Sequence, residues 1–332
     1  DLCARYDLVV LDHPHVGEAV EGRCLRPLEE LYSAQVIAGL GAAAIGPSFS
    51  SYYYAGKHWA LPLDAATQVM AARADLLGQP SPETWEDVSK LSTTTGGVAM
   101  SLAGPHALLS FFSMAAAFGE PPATRDPDLL VSMETGRGAF DLLAELVSRS
   151  PMSVRQENPI GILDHMAKHD DVILCPLIYG YVNYAVPGRG RAIHFSDAPV
   201  VAREGPPGST LGGTGIGISM RCEWSPELEQ HLLWLVGEEA QGEFLPLHDG
   251  QPSRRSAWAD ARVNQRWGHF YRNTASTMEA AYVRPRYAGY IAFQSHASAL
   301  LRQALDDHRP AVAVIEDLQA LYRASRPNGG ER

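Results

Sequence analysis

The chain has 332 residues, 45% of them hydrophobic and 20% charged, and 27 basic against 38 acidic side chains give a formal net charge of −11. That length exceeds what one compact core usually holds, so two lobes or domains are expected, and the composition excludes a disordered chain. No apolar run approaches the roughly 20 residues of a membrane-spanning helix, and an acidic chain with scattered basic residues argues against nucleic acid or an anionic membrane as partner.

The chain opens Asp1-Leu2-Cys3-Ala4-Arg5, with no initiator Met and no basic or apolar leader segment. It enters at once Tyr6-Asp7-Leu8-Val9-Val10-Leu11-Asp12, an apolar run that reads as a fully buried parallel strand. A start this close to a core strand is expected to lie inside a domain, with an earlier strand–helix unit before it. Asp12-His13-Pro14-His15 follows the strand, and Leu25–Leu31 holds a helical turn begun by proline. A glycine- and serine-rich stretch from Gly39 to Ser51 leads to Tyr52-Tyr53-Tyr54. Trp59–Leu63 reads as a short strand that Pro62 confines to an edge or a strand end. Asp64 to Leu77 shows helical spacing, and Pro82 to Asp87 enters a helix with acidic residues in its first turn.

Gly96 to Leu102 reads as a strand opening a second unit, with helices following at about Ala107–Phe118 and Asp128–Ser148. Asp171–Leu177 is another buried strand, Gly205–Gly217 a return crossing, and Pro226–Gly237 and Ala297–Ala324 are helical. Strands interleaved with helices favour an α/β fold whose sheets are covered on both faces and whose ligands sit beyond the carboxyl ends of the strands. The four cysteines, Cys3, Cys24, Cys175 and Cys222, form no C-x-x-C pair, which argues against zinc-ribbon and thioredoxin-type sites; their even number permits disulfides, and buried free thiols are the plainer expectation.

Asp12 and His13 stand where a ligand-facing group would, just past a strand. His13-Pro14-His15 has metal-ligand spacing but no third ligand in view, so no metal is expected. His165 and His169 share a helix face without the glutamate of a zinc-protease motif and read as solvated. Leu211 to Gly217 lacks the Lys-Ser/Thr ending of a phosphate loop and reads as a crossing where backbones approach closely. Tyr52, Tyr53, Tyr54, Trp59, Tyr179, Tyr181, Tyr184, Tyr287 and Tyr290 cluster beside polar residues, which suits a polar organic ligand such as a sugar. Arg284 and Arg286 equally suit a carboxylate.

Taken in order, Tyr6–Gly17, Gly56–Leu77, Pro82–Val88, Leu174–Gly188, Ser209–Ile218 and Gly250–Trp258 make the chain resemble the solute-binding proteins of ABC importers, the extracellular family 1 group of maltose and other sugar binders. That resemblance implies a two-lobed α/β fold of the periplasmic-binding-protein type (type II), with a hinge and an interlobe cleft. Lobe one would comprise residues 1–95 and about 208–248, and lobe two about 96–207 and 249–296. A helical segment, 297–332, would pack across both. It further implies a monomer outside the cytoplasm, without a cofactor, that captures a small polar ligand and delivers it to ABC permease subunits. A carbohydrate is the first choice of ligand and a carboxylate the second. The candidate ligand-binding residues are Asp12, His13, Trp59, Asp64, Gln68, Tyr179, Tyr181, Asn183, Gly213, Thr214, Arg284 and Tyr287. The rival reading is a cytoplasmic enzyme on the same scaffold, with Asp12, His13 and Asp64 as acid–base groups, and a sensor without transport is a third.

Overall fold

Two larger sheets and one two-stranded hairpin organise the described residues, and the elements between the two larger sheets decide which residues meet. The computed structural model describes residues 3–78, 80–188 and 190–326. From the N-terminal side, β1 (Leu8–Asp12) passes through a tight turn into α1 (Val16–Glu21), α2 (Ala34–Ala43), β2 (Tyr53–Tyr54), β3 (Lys57–His58), β4 (Leu61–Pro62), β5 (Ala66–Ala72) and α3 (Ala74–Leu77). Then come α4 (Trp85–Thr95), α5 (His106–Ala117), α6 (Met133–Arg149), α7 (Pro159–Lys168), β6 (Leu174–Tyr179), β7 (His194–Ser196), β8 (Leu211–Gly212), β9 (Thr214–Ile218) and α8 (Pro226–Leu235). Five short helices follow: α9 (Leu245–Leu247), α10 (Arg255–Ala259), α11 (Ala261–Arg266), α12 (Phe270–Asn273) and α13 (Ala275–Glu279). Two long ones, α14 (Tyr290–Asp306) and α15 (Ala311–Ser325), complete the described chain.

The first sheet has the order β1-β9-β4, both pairings antiparallel. Pro62 sits in β4, an edge strand, where its missing N–H costs no ladder bond. The expectation of a fully buried parallel β1 fails on both counts. β1 runs antiparallel to β9 from Leu8↔Ile218 to Asp12↔Thr214, among the described residues no strand covers its other edge, and Val10 is 55% exposed. Gly215 of β9 lies against the Tyr52 ring, which would stand 2.6 Å from any Cβ added there.

β5 is the central strand of the second sheet, with β6, β7 and β8 all antiparallel to it. The helical spacing of Asp64 to Leu77 misleads over Ala66–Ala72, which form β5. Thr67 to Ala72 are all buried, as befits a central strand covered on both faces, and such a strand loses the two-residue alternation that marks half-buried ones. β5 thus lies in the second sheet, and α4 packs beside it. Met70, Trp85, Val88 and Leu91 share a core with Phe111, Phe140 and Leu143. The C-terminal helices add Ala297, Leu301, Val314 and Leu318 to that core, while α14 also touches the turn at His13–His15 of the first unit. Residues 327–332 of the expected C-terminal segment lie outside the described residues.

Gly96–Leu102 is extended but forms no strand, touching the sheet only by a bridge from Val98 to Leu174. The helix expected over Ala297–Ala324 is two helices, broken before Pro310, which lacks the N–H a continuing helix needs. Local signals hold better. Thr84 and Asp87 form a capping box at the start of α4, and Ser132, Asn158 and Ser225 cap α6, α7 and α8. The chain passes between the sheets at residues 63–65, where Leu63 donates to the Thr214 carbonyl and Ala65 to that of Gln251. The other passages, near residues 213 and 251, run beside it, as the Asp64↔Pro252 bridge records.

Cys3 and Cys24 are joined in a disulfide with Cα atoms 5.5 Å apart, which corrects the expectation of four free thiols; Cys175 and Cys222 are buried thiols. The bridge ties the entry of β1 to the end of α1 across a sequence separation of 21. Replacing both cysteines with serine is expected to lower stability by about 3 kcal/mol, by the loop-closure entropy returned to the unfolded chain. Urea unfolding of the oxidised parent and the Cys3→Ser/Cys24→Ser protein measures this, and equal midpoints would remove the bridge from the stability of the fold.

Candidate functional site

The carboxyl end of β1 delivers Asp12 beside Thr214, its register partner on β9. The Thr214 amide donates to Asp64 Oδ1 at 2.6 Å, so the first passage between the sheets is tied to the strand end. Burial raises the Asp64 pKa and the field of Asp12 adds to it, while the bonds from Thr214 pull the other way. Gly213 adopts φ +98, and a Cβ there would stand 2.6 Å from the Asp64 carbonyl, so the turn needs glycine.

After Asp12 the chain turns inward because Pro14 starts a tight turn over His13–His15. His13 is 0% exposed, its ring edge-on to Tyr52 at 6.4 Å, and neither ring nitrogen has a hydrogen-bond partner. Burial, then the fields of Arg284, Arg286 and His15, hold its pKa well below the ordinary value, so the imidazole is neutral at pH 7. Among the described residues no hydrogen bond joins Asp12, His13 and Asp64.

From the second sheet, β6 ends at Tyr179, whose hydroxyl donates to the Thr210 carbonyl at 3.1 Å and whose ring lies 5.7 Å from that of His106. Tyr181, just beyond, is 38% exposed, and its pKa is raised by burial and then by the field of Asp64, across the passage between the units. Asn183 follows with a buried Oδ1 that has no partner. The loop after Tyr282 brings Arg284, which donates through Nη1 to Gln294 at 2.9 Å while its Nε has no partner. The field of Arg284 is felt by His13 and Tyr52 on one side and by His106, Tyr179 and Tyr290 on the other.

Three candidates stand elsewhere. Gln68 is fully buried, donating to Ser110 Oγ and accepting from Ser113 Oγ, so its amide braces β5 against α5. Tyr287 turns to α15, its hydroxyl 2.6 Å from that of Ser325 and its ring edge-on to Tyr322. Trp59 donates its indole N–H to the Tyr54 carbonyl and packs on the cluster of Val16, Tyr52 and Ala60, at the margin of the site. His165 lies 2.6 Å from Asp171 with only 19% of its side chain exposed and stacks on His169, which stands just past the end of α7, so the pair is held by local contacts rather than solvated on a helix face. His106 and Gln294 escaped sequence reading. They open α5 and sit within α14, and no local pattern signals that their helices converge on Arg284.

A family model described as bacterial extracellular solute-binding protein matches residues 4–270. No curated protein matches the sequence significantly. Among solved structures, the chain is similar to an ABC transporter solute-binding protein from Agrobacterium radiobacter in complex with ribitol, at 20% identity and a TM-score of 0.77, covering 96% of this chain and 85% of that one. Maltose-bound MalE3 of T. maritima is 17% identical with a TM-score of 0.77, covering 96% and 84%. A binding protein for cyclic α-maltosyl-1,6-maltose from Arthrobacter globiformis is 14% identical with a TM-score of 0.78, covering 97% and 85%.

Proposed function

From the premise that this chain belongs to the bacterial extracellular solute-binding proteins, we propose that it captures a small hydroxylated ligand between its two lobes and hands it to an ABC permease. The lobes are the units built on the two sheets, and we place the boundary at the passage 63–65. The observation that carries this reading is the approach of Asp12, Asp64 and Thr214 from one lobe to Tyr181 from the other, beside His13, whose buried ring nitrogens have no hydrogen-bond partner. Carboxylates accept from ligand hydroxyls, and a partly exposed tyrosine offers its face to C–H groups. The ribitol and maltose bound by structurally similar proteins support a carbohydrate or polyol as the ligand class. Differential contacts made only when both lobes reach the ligand would drive closure of the cleft.

Thermal unfolding with sugars, polyols, amino acids and small carboxylates tests this, because a ligand that binds only the folded chain raises Tm. A shift with one class, returned chemically intact by mass spectrometry, is expected, whereas turnover would mark an enzyme. Tyr181→Ala is then expected to weaken that ligand about tenfold in Kd with an unchanged ligand-free Tm. Unchanged affinity in calorimetric titration would remove Tyr181 from the site. Trp59→Ala is expected to lower Tm as well as affinity, because the indole also packs the hairpin of β2 and β3.

A further inference from the structure

Buried arginines in this fold otherwise find acidic partners. Arg73 is 0% exposed and holds Asp75 and Asp170. Arg284, only 5% exposed, and the half-buried Arg286 make no ion pair with any described carboxylate, and the Nε of each has no hydrogen-bond partner. Burial also lowers the Arg286 pKa from its ordinary value. An unpaired buried cation is costly, so a counter-charge is missing from the protein itself.

What surrounds the two guanidiniums narrows that charge. His13, His106 and Tyr290 all feel the field of Arg284, and each has a buried polar atom without a partner: both His13 nitrogens, His106 Nδ1 and the Tyr290 hydroxyl. Arginine offers only donors, a neutral imidazole one N–H, and a tyrosine its O–H. A group that satisfies this set accepts several hydrogen bonds and carries negative charge. Asp12 and Asp64 lie in the same neighbourhood, since both raise the Tyr52 pKa, yet neither pairs with an arginine, which leaves them to accept from hydroxyls.

We infer that the ligand is a hydroxylated molecule bearing an oxyanion, a carboxylate or a phosphate, and that Arg284 and Arg286 seat the oxyanion. This rests on the reading of the interlobe cleft as the binding site. Guanidinium matches both oxyanions in bidentate geometry, so the site takes a sugar acid or a sugar phosphate in preference to the neutral sugar.

The test is calorimetric titration and thermal unfolding of the full chain with matched sets: glucose, glucuronate and glucose 6-phosphate; galactose, galacturonate and galactose 1-phosphate; glycerol, glycerate and glycerol 3-phosphate. Inorganic phosphate and acetate serve as minimal probes. An anionic member is expected to bind tighter than its neutral parent, and its carboxylate or phosphate form identifies the class. Arg284→Gln and Arg286→Gln should each weaken it about 30-fold or more. The ligand-free Tm of the double variant should rise, because an uncompensated charge has left the interior, whereas a purely structural role would lower it.

Binding of an anionic member, or saturable binding of inorganic phosphate, that is lost in the double variant supports the inference. A neutral sugar bound as tightly as its acid, with both glutamine variants within threefold of the parent, overturns it and leaves the cleft reading standing. A lower ligand-free Tm in the double variant also overturns it. No shift with any compound, phosphate included, overturns both.

Discussion

Gly17→Ala is expected to destabilise the protein by about 3 kcal/mol or more and to weaken ligand binding with it. Gly17 lies in the first turn of α1, and a Cβ there would stand 1.8 Å from the Arg286 carbonyl oxygen, 2.8 Å from the Tyr287 carbonyl carbon and 2.9 Å from the Ala288 nitrogen. All three are backbone atoms, so no side chain can rotate to relieve the clash, and α1 or the loop must move. The loop carries Arg284 and Arg286, while α1 follows directly on His13, so the displacement reaches the site. Gly39→Ala is the control: nothing lies within 4 Å of its added Cβ, and the position is inside α2. There alanine should stabilise by about 0.5–1 kcal/mol through helix propensity. Urea unfolding of both variants with titration of the bound ligand checks this pair. A Gly17→Ala protein as stable as its parent would mean that the 286–288 loop yields freely.

Arg73→Met is the second large effect, at about 3 kcal/mol of lost stability. The guanidinium grips Asp75 through Nε and Nη2, at 2.8 and 2.7 Å, and reaches Asp170 at 3.0 Å. Its Nη1 donates to the Met166 and His169 carbonyls at 2.6 and 2.7 Å, closing the C-terminal end of α7 against the end of β5. Both carboxylates are half-exposed and can return to water, so most of the loss comes from the unpaired carbonyls and the missing stem. Arg73→Lys keeps the charge but not the fork and should recover only part of the difference.

The pH dependence has a definite sign. The hydrogen bond from Arg73, opposed by a little desolvation, holds the Asp75 carboxyl below its ordinary pKa. A depressed carboxyl contributes stability that is full above about pH 4 and is lost as pH falls through the folded value. The gap between parent and Arg73→Met should therefore narrow in acid, and a gap that widened below pH 4 would contradict the assignment.

Reading the sequence succeeded where neighbours in the chain settle the outcome. Pro82 and the acidic turn after it announced α4, which the Thr84–Asp87 capping box confirms. Pro226 did the same for α8, and Pro62 placed its strand at an edge. It failed where a segment's state depends on what covers it. Ala66–Ala72 has helix-forming residues and no alternation, and only its position between β6 and β7 makes it a strand. Gln68 shows why the site was harder still, because its polar amide is consumed by Ser110 and Ser113, more than 40 residues away.

Residue types and their order thus determined an α/β chain, its helix starts, the family it belongs to and the stretches at 12–13, 179–183 and 284–286 that hold the candidate site. The tertiary structure decided that β5 to α4 belong with the second sheet, that Cys3 meets Cys24, that Tyr287 turns away, and that Arg284 and Arg286 stand buried without a carboxylate. Caps, turns and hydrophobic runs act over a few residues and are written locally. Burial and ion pairing depend on which distant segment arrives at the same point, and no short stretch of sequence carries that.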